Sequence, residues 1–320
     1  MAARAFTKAE SGLWTPQQAG LVTNRYSAAW NNASPHQREQ GRLFYPMWNN
    51  DAQHVSKMYG GNMEQSAAMA AHLSPGTSAD INRMMAFQMG HLSDSQRDVK
   101  IPEAKAIFDE NPLPKKDQVN RKGETVLTKA GNPKQVVDRA HPDYEPLMER
   151  REKARTDAGI IPGSPLRFQS MDNIARAAQA MTHEDPLSTL GKVKISDFGH
   201  TIADPTWPRA PIDTHIHDAG MGRTDIPYDV DRGLGALGRY GNFSAALTAS
   251  HQMTAPQENM GDYMGGIWFH QRDTKYAQNP NSATARKAHE SKVKSLYSHP
   301  ESQLWVPESH GRPPLQDAPA

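Results

Sequence analysis

Apolar residues recur every three or four positions through most of the chain, which is the spacing of one face of an α-helix. Ser78, and Ser170 or Asp172, stand at the starts of two such runs, where a short polar side chain can cap a helix. The periodic runs cover residues 61–73, 78–89, 170–181, 187–202, 242–253 and 256–276. The pattern predicts a mainly α protein.

Aromatic residues are concentrated before the first of these runs. Tyr26 and Trp30 are four residues apart, and so are Phe44 and Trp48. This spacing places two side chains on the same side of a helix. It predicts that both pairs pack into a helical core.

Composition divides the chain into five parts. The middle is rich in Pro, Lys, Asp and Asn, and it has only two candidate elements, a short strand at 125–127 and a charged helix at 145–158. The predicted parts are a flexible N-terminal segment at 1–20, a first part of the helical core at 21–90, a polar and mildly basic insertion at 91–165, a second part of the core at 166–282, and a Pro-rich C-terminal tail at 283–320.

The overall composition excludes several classes of protein. The chain contains no cysteine, which rules out disulfides, thiolate nucleophiles and cysteine-bound metal clusters. No apolar run reaches the roughly 20 residues needed to cross a bilayer, and the first residues lack a secretory pattern. We therefore expect a cytoplasmic protein without a membrane partner or a cofactor. The net charge is +1, so a nucleic-acid site must be a local patch.

One segment concentrates the candidate chemistry. Asp213, His215, His217 and Asp218 fall within six residues, between a turn-rich stretch and two glycines. If the segment is a strand, Asp213, His215 and His217 share one face and resemble the D-x-H-x-H metal-binding entry of amidohydrolases. If the segment begins a helix, Asp213 is its N-cap and accepts backbone hydrogen bonds.

A third interpretation adds function to the cap. Four stretches together resemble the helix-hairpin-helix DNA glycosylase superfamily of endonuclease III type. Two of them, with the patterns A-x-L-S-P-x-T and I-D-x-H, also resemble a group of uncharacterised phage and actinobacterial proteins. The stretches are Ala71-His72-Leu73-Ser74-Pro75-Gly76-Thr77, Leu190-Gly191-Lys192-Val193-Lys194, Ile212-Asp213-Thr214-His215 and Ile267-Trp268-Phe269-His270. The second stretch lies where the family has its hairpin, although the family's second glycine is missing.

The resemblance implies a glycosylase-like helical core around a long irregular insertion. It further implies DNA as the partner and a flipped-out base as the substrate. Asp213 would be the catalytic carboxylate, assisted by His215, with Lys194 as a candidate nucleophile. The DNA-contacting residues would be Ser74, Thr77, Lys192, Lys194 and Arg223.

Two other functions are compatible with the same sequence. One is a non-enzymatic structural protein on the same scaffold, such as a virion component, which would bind protein partners through the insertion and the tail. The other is a metal-dependent hydrolase that uses Asp213, His215 and His217. If the chain is encoded by a phage, the expected location is the host cytoplasm or the virion.

Overall fold

The computed structural model describes residues 14–120, 123–128, 131–222 and 240–278, together with the isolated positions Lys287 and Ser291. Within these ranges the protein is mainly α, as the periodicity predicted. The α-helices are α1 (Pro16–Asn32), α2 (Pro35–Tyr59), α3 (Met63–Leu73), α4 (Ala79–His91), α5 (Ile101–Glu110), α6 (Tyr144–Asp157), α7 (Met171–Thr182), α8 (Val193–Ala203), α9 (Thr214–Met221), α10 (Tyr240–Thr254) and α11 (Met260–Gln278).

Shorter elements connect these helices. A π-helical turn, Gln96–Lys100, runs directly into α5, and 3₁₀ turns occur at Pro165–Phe168 and Pro186–Thr189. Strands β1 (Lys115–Asp117) and β2 (Gln135–Val137) pair antiparallel, with Lys116 opposite Val136. No helix in the described ranges is both long and apolar enough to span a membrane.

Side-chain caps determine where many of the helices begin. Thr15, Ser34 and Asn62 each form a reciprocal capping box with a glutamine three residues later. Ser78 and Ser170 cap α4 and α7, as predicted. The predicted N-terminal segment at 1–20 overlaps α1, because the Thr15 cap starts this helix at position 16. The first 13 residues lie outside the described ranges.

The helices enclose two large clusters of buried apolar side chains. One cluster joins α2–α5, the end of α6 and α7. The other joins α1, α10 and α11 with residues 210–219. Helix α2 belongs to both, since Trp48 packs in the first cluster and Tyr45 in the second, while Phe44 and Phe198 contact both. The candidate site lies where these clusters meet.

The insertion at 91–165 is only partly the polar, irregular segment that was predicted. Ile101 and Ala104 of α5, Ala154 of α6 and the following Ala158 are buried in the first core cluster. The two ends of the insertion therefore belong to the core. The part between them, around β1 and β2, is largely exposed. The charged helix predicted at 145–158 is α6, and Thr125 and Leu127 form isolated β-bridges.

The run at 187–202 is not one helix, because the chain forms a 3₁₀ turn, passes through Gly191, and begins α8 only at Val193. The predicted Pro-rich tail at 283–320 lies outside the described ranges, apart from Lys287 and Ser291.

Candidate functional site

Asp213 is the N-cap of α9. Its Oδ1 accepts a hydrogen bond of 2.9 Å from the backbone N–H of Ile216. Its Oδ2 accepts a hydrogen bond of 2.6 Å from the indole N–H of Trp268 on α11. Both carboxylate oxygens thus have a fixed donor, and each keeps a further lone pair for another contact.

A buried polar network holds the connection that delivers Asp213. Arg209 pairs with Asp197 of α8, with 2.7 Å between Nη2 and Oδ1. The Tyr240 hydroxyl donates to Asp197 Oδ2 and accepts from the backbone N–H of Ile212, both at 3.0 Å. Burial raises the pKa of Asp197, and the nearby Arg209 guanidinium opposes that rise. This network attaches the residue just before Asp213 to two helices.

The Tyr240→Phe variant should be destabilised by about 1–3 kcal/mol, because it leaves the Ile212 N–H and one oxygen of Asp197 buried with one partner fewer. Chemical denaturation measures the difference. Tyr26→Phe is the matched control, since the Tyr26 hydroxyl is buried without a hydrogen-bond partner in the described ranges and its removal should cost little. Equal destabilisation in both variants would contradict the role given to Tyr240.

The opposite side of α9 is anchored in the core. His217 is buried against Phe243, with ring centroids 4.7 Å apart, and its Nδ1 lies 3.2 Å from Asp218. Asp218 also pairs with Lys275 of α11. Although burial raises the pKa of Asp218, the hydrogen bonds from His217 and Lys275 bring it below its ordinary value. These contacts fix the orientation of α9, and with it Asp213.

The segment from Thr214 to Met221 is a helix and not the strand that the metal-site interpretation requires. Residues two apart on a helix point about 200° apart, whereas the metal motif needs them on one face of a strand. His217 accordingly lies in the core, while Asp213 and His215 face a cavity. No group of three or more metal-binding side chains is found in the described part of the chain. The geometry gives no support to a shared site for Asp213, His215 and His217.

The cavity beside Asp213 has a volume of about 330 Å³. It lies between α2, the turn from α3 to α4, α8, the start of α9 and α11. The residues that line it are Phe44, Tyr45, Trp48, Ser74, Thr77, Ser78, Ala79, Asp80, Asn82, Lys194, Phe198, Pro211, Asp213, His215, Met264, Gly265, Trp268, Phe269, Arg272 and Tyr276. Its wall is therefore strongly aromatic and carries charges of both signs.

Most of the residues singled out in the sequence line this one cavity. Asp213 and His215 lie at the start of α9, Lys194 on α8, and Ser74 and Thr77 on the turn between α3 and α4. Lys192 and His217 do not line it, since Lys192 is exposed just before α8 and His217 is buried in the core. Arg223 lies outside the described residues.

The two hydroxyls on the α3–α4 turn stabilise the turn itself. Ser74 Oγ donates to the Ala71 carbonyl at 2.9 Å, and Thr77 Oγ1 lies within 3.2 Å of the carbonyls of Leu73 and Ser74. Their protons are therefore already used, and a ligand would meet them as acceptors. Lys194 is exposed, so its amine can reach a ligand at the cavity mouth.

His215 is half-buried beside the aromatic wall. Its ring lies edge-on to Trp268 at 5.1 Å between centroids. Burial lowers the pKa of His215, and the Asp213 carboxylate only partly offsets this effect. The imidazole is therefore mainly neutral at neutral pH, and it is not a fixed positive charge beside Asp213.

The sequence did not predict an individual role for three of the residues that line the cavity. Trp268 donates a hydrogen bond to Asp213. The Arg272 guanidinium lies over the rings of Trp268 and Phe269, 5.3 and 4.7 Å from their centroids. The third residue is Asn82, on α4. The four-residue spacing of Trp268 and Arg272 indicates a shared helical face. Only the tertiary structure shows that this face meets Asp213.

Residues 13–112 match a family model described as a family of unknown function (DUF7178). The matched region covers α1 to α5, and so it includes the part of the cavity wall formed by α2, α4 and the turn before α4. It does not include Lys194, Asp213 or Trp268. No curated protein and no solved structure matches the chain.

Proposed function

We propose that this is a DNA-binding protein of glycosylase type, in which the cavity holds a base turned out of the duplex. Asp213 would be the carboxylate that promotes cleavage of the bond between the base and its sugar. The sequence resemblance to the glycosylase superfamily and the arrangement of the cavity both support this function. On this proposal the protein is an enzyme, its substrate is the extrahelical base, and its partner is DNA.

One observation carries the proposal. Asp213, His215, Lys194, Ser74 and Thr77 were selected from sequence motifs, and they line one cavity although they come from three distant stretches of the chain. The volume of about 330 Å³ is at the small end of the roughly 300–1,000 Å³ typical of ligand pockets. Such a cavity suits a single ring system better than a polymer segment.

The environment of Asp213 suits the chemistry of base release. When the bond from C1′ to the base nitrogen breaks, its electron pair leaves with the base and the sugar becomes positively charged. An ionised carboxylate stabilises that charge and can orient the attacking water. The water oxygen bonds to C1′, and a water proton is finally transferred to the departing base. The two fixed donors on Asp213 hold the carboxylate ready for these steps.

Binding to short duplexes tests the proposal. One duplex carries a tetrahydrofuran abasic analogue, the other is intact, and both are measured at about 50 and about 200 mM salt. We expect preference for the analogue and weaker binding at the higher salt. Lys194→Ala should reduce the salt dependence by about one phosphate contact. Lys153→Ala removes the same charge from an exposed position on α6 and is the control.

Absence of binding at low salt would overturn the proposal. The better-supported function would then be that of a non-enzymatic interaction protein. For that function the relevant observation is the set of exposed apolar side chains around the hairpin of the insertion, namely Val119, Leu127 and Val137.

A further inference from the structure

The wall of the cavity has unused capacity for hydrogen bonding. Three of its residues contain buried polar atoms that lack a hydrogen-bond partner among the described residues: Trp48 Nε1, Asn82 Oδ1 and His215 Nδ1. Buried polar atoms without partners are rare in folded proteins and call for an explanation, such as a bound molecule. Three of them in residues that line one cavity favour a polar ligand, which these side chains can reach by turning.

These atoms are chemically diverse. The indole N–H of Trp48 can only donate, the amide oxygen of Asn82 can only accept, and a neutral imidazole nitrogen does either, depending on its tautomer. A ligand that satisfies all three must present both a donor and an acceptor. A purely apolar ring cannot do so.

The charges around the cavity argue against a charged ligand. Two lining carboxylates, Asp80 and Asp213, are balanced by two lining cations, Lys194 and Arg272. Arg272 also lies over the rings of Trp268 and Phe269, within 5.3 Å of each centroid. The rings of Trp268 and Phe269, which could attract a cationic ligand, are therefore already in contact with the Arg272 cation.

We infer that the cavity binds a neutral, planar nitrogen heterocycle, and that Trp48, Asn82 and His215 form hydrogen bonds with its polar edge. The identification of this ligand as the base of an extrahelical nucleotide rests on the proposed function. We further expect the cavity to prefer uncharged bases to bases made cationic by alkylation. Asn82 also takes a direct part in recognition. Because the three atoms are closed off from solvent, the side chains of Trp48, Asn82 and His215 must all turn toward the ligand as it enters.

Tryptophan fluorescence of the full-length chain tests the inference, because Trp48 and Trp268 both line the cavity. The neutral probes are adenosine, guanosine, cytidine and uridine, and the cationic probe is 1-methyladenosine. We expect at least one neutral nucleoside to bind and the cation to bind at least about tenfold more weakly. Asn82→Ala should weaken the neutral nucleoside about tenfold, the effect of losing one buried hydrogen bond.

Asn50→Ala is the matched control, because Asn50 is exposed on α2 and does not line the cavity. Thermal melting of Asn82→Ala establishes that the variant is folded. Equal binding by the wild type and Asn82→Ala would overturn the role of Asn82. Equal or tighter binding of 1-methyladenosine would overturn the preference for a neutral ligand.

The duplex measurements separate this inference from the proposed function. Binding to the abasic duplex without any nucleoside binding would overturn the inference and leave the function standing. Nucleoside binding that depends on Asn82, without DNA binding, would support the inference and remove the glycosylase assignment.

Discussion

Asp213→Asn should reduce the rate of base release from DNA by a factor of about 10² or more. The substitution replaces the negative charge with a neutral amide of nearly the same shape. That amide can neither stabilise a positive sugar nor accept a proton from water. Single-turnover release of the base from a labelled duplex, at saturating protein, measures the effect directly.

The same variant should remain folded and should still bind the abasic duplex. Asparagine is as good a helix N-cap as aspartate, so its side-chain oxygen can keep the bond from the Ile216 N–H. The hydrogen bond from Trp268 to the second oxygen is the part that is lost. We therefore expect a stability change of about 1 kcal/mol, far too small to unfold the protein.

Asp204→Asn provides a matched control for Asp213→Asn. Asp204 precedes the same connection, is exposed, and does not line the cavity. It should retain the wild-type rate. If Asp213→Asn also releases the base at the wild-type rate, Asp213 is a helix cap without a catalytic role.

The sequence was most informative where structure depends on neighbouring residues. A cap depends on a side chain and the backbone three residues later, and so Ser78, Ser170 and Asp213 could be identified from the amino-acid sequence alone. The start of α1 could have been found in the same way. Thr15 is followed three residues later by Gln18, which is the signature of a capping box.

Helix α5 shows where periodicity becomes less informative. It is only ten residues long, and charged residues cover much of it. The two fully buried positions, Ile101 and Ala104, are too few to stand out from a polar segment. Their burial depends on α6 and α7, which are distant in the sequence.

The candidate site contains residues that the local sequence predicts and residues that only the tertiary structure reveals. Its central residue was identifiable because Asp213 carries a local signal. The partner of Asp213 was not, since Trp268 is 55 residues away and a tryptophan in an apolar run ordinarily predicts core packing. Asn82 was missed for a related reason. A single asparagine on a helix has no distinctive pattern, and its significance comes from the cavity that surrounds it.

Gly41→Ala should destabilise the fold by at least about 2 kcal/mol, even though alanine is the better helix former. Helices α2 and α11 cross at this glycine. A Cβ on Gly41 would lie 2.3 Å from the backbone nitrogen of Gly266 and 2.7 Å from the carbonyl carbon of Gly265. Both contacts are with backbone atoms, so no side-chain rotation can relieve them. The two helices would have to move apart.

That separation would also affect the cavity, because both helices form its walls. Helix α2 contributes Phe44 and Trp48, and α11 contributes Trp268, Phe269 and Arg272. An outward shift of α11 would lengthen the hydrogen bond from Trp268 to Asp213. Gly41→Ala should therefore weaken nucleoside binding as well as stability.

Thermal melting measures the stability change, with Gly20→Ala as the matched control. Gly20 lies within α1, and a Cβ added there would meet nothing within 4 Å. The control should gain about 0.5–1 kcal/mol from the better helix former. The melting temperature of Gly41→Ala should instead fall by roughly 4–8 °C. Melting of Gly41→Ala at or above the wild-type temperature would show that α2 and α11 are not held together by this glycine contact.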